Sequence, residues 1–418
     1  MACLVVAGEA IFSLPFHITR YFRPTFLKVT GLSNLALGQA MAAYGVVAMV
    51  AYFPGGPLAD RFSARKLMAL SLVCTGIGGL YLGTYPGLGG MGLLWGFWGL
   101  TSILLFWAAL IRATRDWGGP DGQGRAYGIL DGGRGLLSAV MAVLAVQLFR
   151  LVMPEDPDLA TAVERAAALQ DVIHAYVGLT LAAAVLVWFG VPELDPAGGA
   201  DEDSAVSPAS RLTPPWTDLA LVMRRPTIWL QAAIVVAAYI GYKGTDFYSL
   251  FAVDAYGMNE VEAAEISAIA AWVRPVAALA AGLLADRLLS SRVVSGCFVL
   301  LVATFSYMGI ATPYPDIAWI LTMEILLGCA AVYGLRGVYF ALFEEAALPV
   351  AVTGTAVGIV SVIGYTPDIF VAPAAGWLLD TYPGVPGHQY LFLMMAAASA
   401  LGLIASLLFT RLAPTATG

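Results

Sequence analysis

Charge is what this chain has least of. Asp, Glu, Lys and Arg make up only 12% of its 418 residues, against 60% apolar ones, and the mean hydropathy is +0.80. Soluble domains carry about 25% charged residues, so a water-facing surface for a globular protein of this length cannot be assembled here. A disordered chain, which needs low hydrophobicity and abundant charge, is excluded by the same figures, and the absence of a Gly-X-Y period excludes collagen. Cys3, Cys74, Cys297 and Cys329 all lie in apolar runs without a Cys-x-x-Cys pair, so they are small core residues and not a disulfide framework. Histidines occur only at 17, 174 and 388, with no metal-ligand spacing. There is no phosphate-binding Gly-x-x-x-x-Gly-Lys-Ser/Thr loop and no Gly-x-Ser-x-Gly nucleophile motif, which argues against ATP-driven transport and against hydrolytic catalysis. No cofactor or metal is expected. The net charge of −7, with its acids largely in loops, argues against nucleic acid as a partner. What remains is a polytopic membrane protein whose solvent is mostly lipid.

A helix needs about 20 mostly apolar residues to cross the bilayer core. Twelve such runs occur, near 3–23, 35–56, 67–86, 91–112, 126–150, 171–191, 228–251, 264–284, 293–312, 317–342, 354–379 and 389–410. They are too long and unbroken for the alternating strands of a barrel, so the fold class is all-α. With both termini inside, the cytoplasmic segments hold Arg61, Arg65, Lys66, Arg112, Arg115, Arg125, Arg211, Arg224, Arg225, Arg287, Arg292 and Arg411. The outer segments hold only Arg20, Arg23, Lys28, Arg150 and Arg165. That bias predicts an N-in, C-in orientation. Met1 abuts the first apolar run directly, so part of the first helix or its lead is expected upstream, and the run lacks the basic start of a cleavable signal peptide.

A polar stretch, 192–227, separates two hydrophobic segments of equal length, 1–191 and 228–418. The layout predicts two six-helix bundles joined by a cytoplasmic linker. The segments also echo one another. Gly56-Pro57-Leu58-Ala59-Asp60-Arg61 precedes Arg65 and Lys66 between spans two and three, and Gly282-Leu283-Leu284-Ala285-Asp286-Arg287 precedes Arg292 between spans eight and nine. More weakly, Gly124-Arg125-Ala126-Tyr127-Gly128-Ile129 is matched by Gly354-Thr355-Ala356-Val357-Gly358-Ile359. Duplicated halves are how many secondary transporters are built.

The repeated loop resembles the signature of the major facilitator superfamily, and with twelve spans the resemblance covers essentially the whole chain. Gly124-Arg125, Asp131-Gly132-Gly133-Arg134-Gly135 and Gly364-Tyr365-Thr366-Pro367-Asp368 look like a bacterial branch labelled sugar-phosphate permease-like. The resemblance implies a transporter of the bacterial inner membrane, working as a monomer by alternating access. The second loop carries one extra residue before Arg292, a departure from the pattern. As a cytoplasmic latch, Gly56 allows close helix approach, Asp60 caps a helix end, and Arg61 and Arg65 can pair with acids or helix carbonyls. Asp286 and Arg287 stand at the equivalent places. The plainer role is topological, as positive-inside charges.

Ionisable groups at membrane depth are costly and therefore mark functional sites. They are Glu9, Asp131, Arg134, Lys243, Asp246, Arg274, Glu324, Arg336 and Asp368, whereas spans three, six, nine and twelve carry none in their interiors. In the family resembled, those four spans are peripheral and the other eight surround the transport path. Asp131 with Arg134 and Lys243 with Asp246 have i,i+3 spacing, which suits ion pairs on one helix face. Arg274, with no acid in its own helix and near the bilayer midplane, is the first expectation for a substrate anchor, and Arg336 is the second. Tyr239 and Tyr242 share a stripe with Lys243 and Asp246, suiting a wet cavity wall. Glu9, Glu324 and Asp368 are the candidates for proton coupling, since desolvation raises a carboxyl toward the working range. His17, after Pro15, suits either a proton shuttle or a place near the outer interface, and the second is the expectation. The expected activity is proton-coupled transport of a small organic anion of the sugar-phosphate, sulfonate or carboxylate type. Proton-coupled efflux of a drug or metabolite is the alternative, and a transporter-like sensor belongs to another class.

Overall fold

The structure, a computed structural model, describes residues 1–119, 122–193, 222–314, 318–346 and 350–413. Lipid offers the backbone no hydrogen-bond partner, so each apolar run satisfies its own amides by coiling into a helix. The first half contains α1 (Ala2–Tyr21), α2 (Asn34–Arg61), α3 (Ala64–Leu82), α4 (Leu88–Gly118), α5 (Gln123–Val152) and α6 (Ala162–Gly190). In the second half, α7 runs Pro226–Gly244, takes a 3-10 turn over Thr245–Phe247 and continues as Tyr248–Tyr256. There follow α8 (Glu260–Ala285), α9 (Ser290–Ile310), α10 (Ala318–Val338), α11 (Val350–Gly364 and Pro367–Thr381) and α12 (Val385–Leu412). Span six begins well before the predicted residue 171, because Thr161 and Glu164 form a reciprocal capping box that satisfies the first amides. The break in α11 falls just before Pro367, whose ring cannot continue the helical hydrogen bonding. Most of the polar stretch between the halves, residues 194–221, lies outside the described residues.

The two halves repeat one packing scheme. In the first, α2 lies on α4, α3 on α6, and α1 on both α5 and α6. The second repeats this with α8 on α10, α9 on α12, and α7 on α11 and α12. The result is two pseudo-symmetric six-helix bundles, oriented N-in and C-in. The second bundle has its own apolar core, running from Val222 to Phe409. Between bundles the main seams are α2 with α11 and α5 with α8, again a symmetric pair.

These seams are tight toward the outside. A Cβ placed on Gly45 of α2 would stand 2.7 Å from the backbone carbon of Asp368 in α11, and Gly38 meets the backbone of Ala372 one helical stretch farther out. Glycine is required at such crossings because backbones touch. Toward the cytoplasm the seams part: Gly56 of α2, Gly128 and Gly132 of α5 and Gly282 of α8 have nothing within 4 Å of an added Cβ. Among the described residues, no ion pair joins the bundles at their cytoplasmic ends. The molecule is inward-facing. A Gly45→Val substitution should pry the outer seam apart. Spin labels at Ser33 and Pro383 should then sit farther apart than in the unsubstituted protein, and an unchanged distance would contradict the close-approach account.

Candidate functional site

The site starts from α1, where Glu9, Ser13, His17 and Arg20 follow one another at intervals of four, four and three residues, a single polar stripe on an apolar helix. Glu9 is buried and draws cations from two other helices: Arg134 of α5 at 3.6 Å and Arg274 of α8 at 3.9 Å. His17 Nε2 stands 3.5 Å from the same carboxylate and 3.3 Å from the Ser138 hydroxyl, while Nδ1 meets the Tyr176 hydroxyl at 3.2 Å. His17 is therefore not at the outer interface, as its place after Pro15 suggested, but 2% exposed inside the first bundle. Asp131 lies 4.0 Å from Arg134 and 3.9 Å from Arg274, and its side chain is 70% exposed to the cytoplasmic opening. Gly8 and Gly135 make room for these arginines: Arg134 Cδ and Arg274 Nε lie 3.0 Å and 3.4 Å from where a Cβ would be.

A second cluster gathers on α7. Arg20 Nε donates to Asp246 at 2.7 Å and Arg20 Nη2 to the Tyr242 hydroxyl at 3.0 Å. Lys243 Nζ lies 3.1 Å from Asp246 and 3.3 Å from Asp368, and the Tyr239 hydroxyl donates to Asp368 at 2.9 Å. Arg20 is thus a correction to the sequence reading, which counts it among outer loop charges. It lies at the end of its span, but its partner, Asp246, sits in the other half, so the buried pair is invisible to local spacing.

Arg336 of α10 differs from the other central cations. Its guanidinium lies 4.3 Å from the centre of the Tyr242 ring and 5.7 Å from that of Tyr239. Tyr365 and Tyr333 close the group, with ring centres 5.0 Å from Tyr239 and 6.3 Å from Tyr242 respectively. No described carboxylate pairs with it, and its Nη1 is buried without a hydrogen-bond partner. Arg274, the first expectation for an anchor, already faces two acids. Glu324 lies apart from the central charges, half-buried, with Oε2 unpartnered. A hollow of about 340 Å³ near Met1, Arg112, Trp117 and Val191 belongs to the cytoplasmic end of the first bundle and holds none of the paired central charges.

Outside this layer the bundles are sealed. Glu260, at the first turn of α8, accepts from Lys28 at 2.6 Å, Arg165 at 2.9 Å and Thr25 at 2.8 Å, and its side chain is only 3% exposed. Arg150 and Glu265 pair at 2.9 Å, and Asp380 accepts the amides of Asn34 and Leu35 at the start of α2. Arg23 is fully buried in the seal, its guanidinium 4.4 Å from the centre of the Phe247 ring. On the cytoplasmic face, Arg65 and Lys66 both pair with Glu193 beyond α6, and Arg112 donates to the Ala59 carbonyl at 2.6 Å. Asp60, Arg61, Asp286 and Arg287 are exposed and form no ion pair with a described residue. An acid also serves the start of α9, where Glu345 accepts the Ser291 amide at 3.0 Å.

The sequence profile of the Major Facilitator Superfamily matches residues 5–369. The chain belongs to the Major Facilitator Superfamily. It is similar to the inner membrane protein YqcE of Escherichia coli (28% identical, covering 99% of this chain and 94% of that one). It is similar also to inner membrane protein YihN of the same organism (26%, covering 98% and 94%). Among solved structures it resembles a bacterial homologue of the human lysosomal transporter Spinster, inward-facing and occupied, at TM-score 0.75 and 14% identity over 98% of this chain and 96% of that one. The nucleoside transporter NupG superposes at TM-score 0.71 and 15% identity, covering 98% and 99%. As a member of this superfamily the chain is a multi-pass membrane transporter, not an enzyme.

Two outcomes follow from these contacts. Asp246→Ala leaves Arg20 buried without its acid and Lys243 with Asp368 alone, and should cost about 3–5 kcal/mol, read as a lowered Tm of the purified protein. A double variant that also carries Arg20→Met should recover much of it, and no recovery would argue against charge orphaning as the cause. On the cytoplasmic face, the hydrogen bond from Lys66, with Arg65 beside it, holds the Glu193 carboxyl below the ordinary carboxylate range. Because the folded value is the depressed one, its contribution is present above the ordinary carboxylate pKa and is lost as pH falls through the folded value. Glu193→Gln should therefore lower Tm most at neutral pH, the two curves converging in acid, whereas a constant offset at all pH would contradict the ion pairs.

Proposed function

We propose that this transporter carries a small organic anion across the bacterial inner membrane by alternating access, with protons as the coupling ion. Residues 1–191 and 228–418 act as the two moving bodies, joined by 192–227. The observation that carries the proposal is Arg336: a guanidinium at membrane depth, lying on tyrosine rings and lacking a carboxylate, in a layer where Arg20, Arg134, Lys243 and Arg274 all have acid partners. Arg336 is partly exposed, but its Nη1 is buried without a hydrogen-bond partner; an unsatisfied buried donor is disfavoured, and cation–π contact offsets only about 0.5–2 kcal/mol. An anionic cargo supplies the missing partner, with the guanidinium fork suited to a carboxylate, sulfonate or phosphate group. Arg336 thereby displaces Arg274 as the anchor, and Arg274 becomes the bridge between bundles.

Tyr239 links this anchor to the coupling carboxyl. Its hydroxyl donates to Asp368 while its ring faces Arg336, so cargo arriving at the guanidinium acts on the group that holds Asp368. Glu9, surrounded by three basic side chains, is the less suited proton carrier, and Glu324 lies apart from the cargo path. Asp368 also abuts Gly45 in the outer seam. Protonating it loosens Lys243 and alters the contact on which outer closure rests.

Counterflow in proteoliposomes, screened over sugar phosphates, sulfonates and carboxylates, tests the assignment. Arg336→Ala should abolish exchange of the anion that the unsubstituted protein moves, a loss of roughly 100-fold or more. Asp368→Asn should keep exchange while abolishing accumulation driven by a pH gradient. Exchange at full rate in Arg336→Ala would remove the anchor, and gradient-driven accumulation in Asp368→Asn would remove the coupling role.

A further inference from the structure

The charges of the central layer can be counted, and the count bears on the kind of anion carried. The permanent cations of this layer are Arg20, Arg134, Lys243, Arg274 and Arg336; the acids facing them are Glu9, Asp131, Asp246 and Asp368. His17, between Glu9 and Ser138, can complete its contacts as the neutral ring. Arg23 lies outside the layer, enclosed in the outer seal. Among the described residues each of these acids touches at least one cation, and one cation, Arg336, touches no acid. The layer is one positive charge in excess.

We infer that the cargo bears a single negative charge when it binds with Asp368 ionised, so that a carboxylate or sulfonate monoanion fits and a dianionic phosphate ester fits only together with a proton on Asp368. This rests on the anion-transport reading above and adds the charge to it. Once the bundles close over the cargo, water is excluded and net charge is no longer screened, so mismatch is penalised in proportion to the charge left over. With Asp368 ionised, a monoanion brings the layer to neutrality. A dianion leaves one negative charge facing Asp131, Asp368 and Glu9, with no remaining free cation to meet it. Freeing Arg274 for the second charge would orphan Glu9 or Asp131 instead.

Perrhenate and sulfate test the inference directly, being tetrahedral oxyanions of charge −1 and −2. Their binding to the purified full-length protein is measured by thermal stabilisation and by calorimetry at low chloride. In the unsubstituted protein perrhenate should bind roughly tenfold tighter than sulfate, and Arg336→Gln should remove that binding. Intrinsic differences in hydration cancel when the perrhenate-to-sulfate ratio is compared between variants. Asp131→Asn, which removes one negative charge at the exposed mouth of the layer, should shift that ratio toward sulfate by roughly threefold or more. Sulfate binding equally well or better in the unsubstituted protein, with both anions lost in Arg336→Gln, would overturn the charge count while leaving an anion site. An unmoved ratio in Asp131→Asn would overturn it in the same way. Absence of binding by either anion, or binding indifferent to Arg336→Gln, would overturn both the count and the anion reading.

Discussion

A charge held at membrane depth needs an opposite charge within a few ångströms, because neither water nor lipid can supply the compensation. Much of the molecule's organisation answers to that constraint. α1 spends four positions of an otherwise apolar helix on a polar stripe, and the cations that match it come from helices far away in sequence. Glycines at 8 and 135 give the arginine stems room. The 3-10 turn after Gly244 holds Asp246 and follows Lys243, and both of these residues are buried. Arg23, in the outer seal, meets Asn34 and the Phe247 ring in place of an acid; in the central layer Arg336 has no described acid to match, and the constraint itself points to what is missing.

The contacts between bundles divide by depth. Toward the outside, bases of the first bundle meet acids of the second: Arg20 with Asp246, Lys28 and Arg165 with Glu260, Arg150 with Glu265. Nearer the cytoplasmic opening the polarity reverses, Arg274 of the second bundle facing Glu9 and Asp131 of the first. The outer contacts are short, between 2.6 and 2.9 Å; those of Arg274 are both near 3.9 Å. A seal of that construction holds one side shut while leaving the other loosely tied, as an inward-facing transporter needs.

The twelve spans, the duplicated loop and the set of intramembrane charges were legible in the sequence because hydropathy, repetition and rarity are properties of the chain itself. The i,i+3 pair Lys243 and Asp246 was legible for the same reason. Pairings across the halves were not. Glu9 looked solitary because no Lys or Arg shares its depth in α1, yet Arg134 and Arg274 reach it from α5 and α8. Arg20 looked like a loop residue because a span-counting argument assigns any charge at a helix end to water. The stripe Glu9, Ser13, His17, Arg20 was the available signal, and its regular spacing marks a buried polar face better than any of its members does alone. Glu260 gave no signal beyond its place at a helix start, since its three donors come from distant segments of the other bundle. The acids facing Arg274 escaped notice for the same reason: solitude within one helix says nothing about neighbours from another.

The central claim is that these charges face a shared chamber open to the cytoplasm and closed to the outside. It is tested by cysteine accessibility at position 132, in a background lacking Cys3, Cys74, Cys297 and Cys329. A membrane-impermeant thiol reagent should modify Gly132→Cys rapidly in inside-out vesicles and only slowly in right-side-out ones. Equal rates from both faces, or no reaction from the cytoplasmic face while exposed Asp286→Cys reacts there, would contradict the chamber on which the account depends.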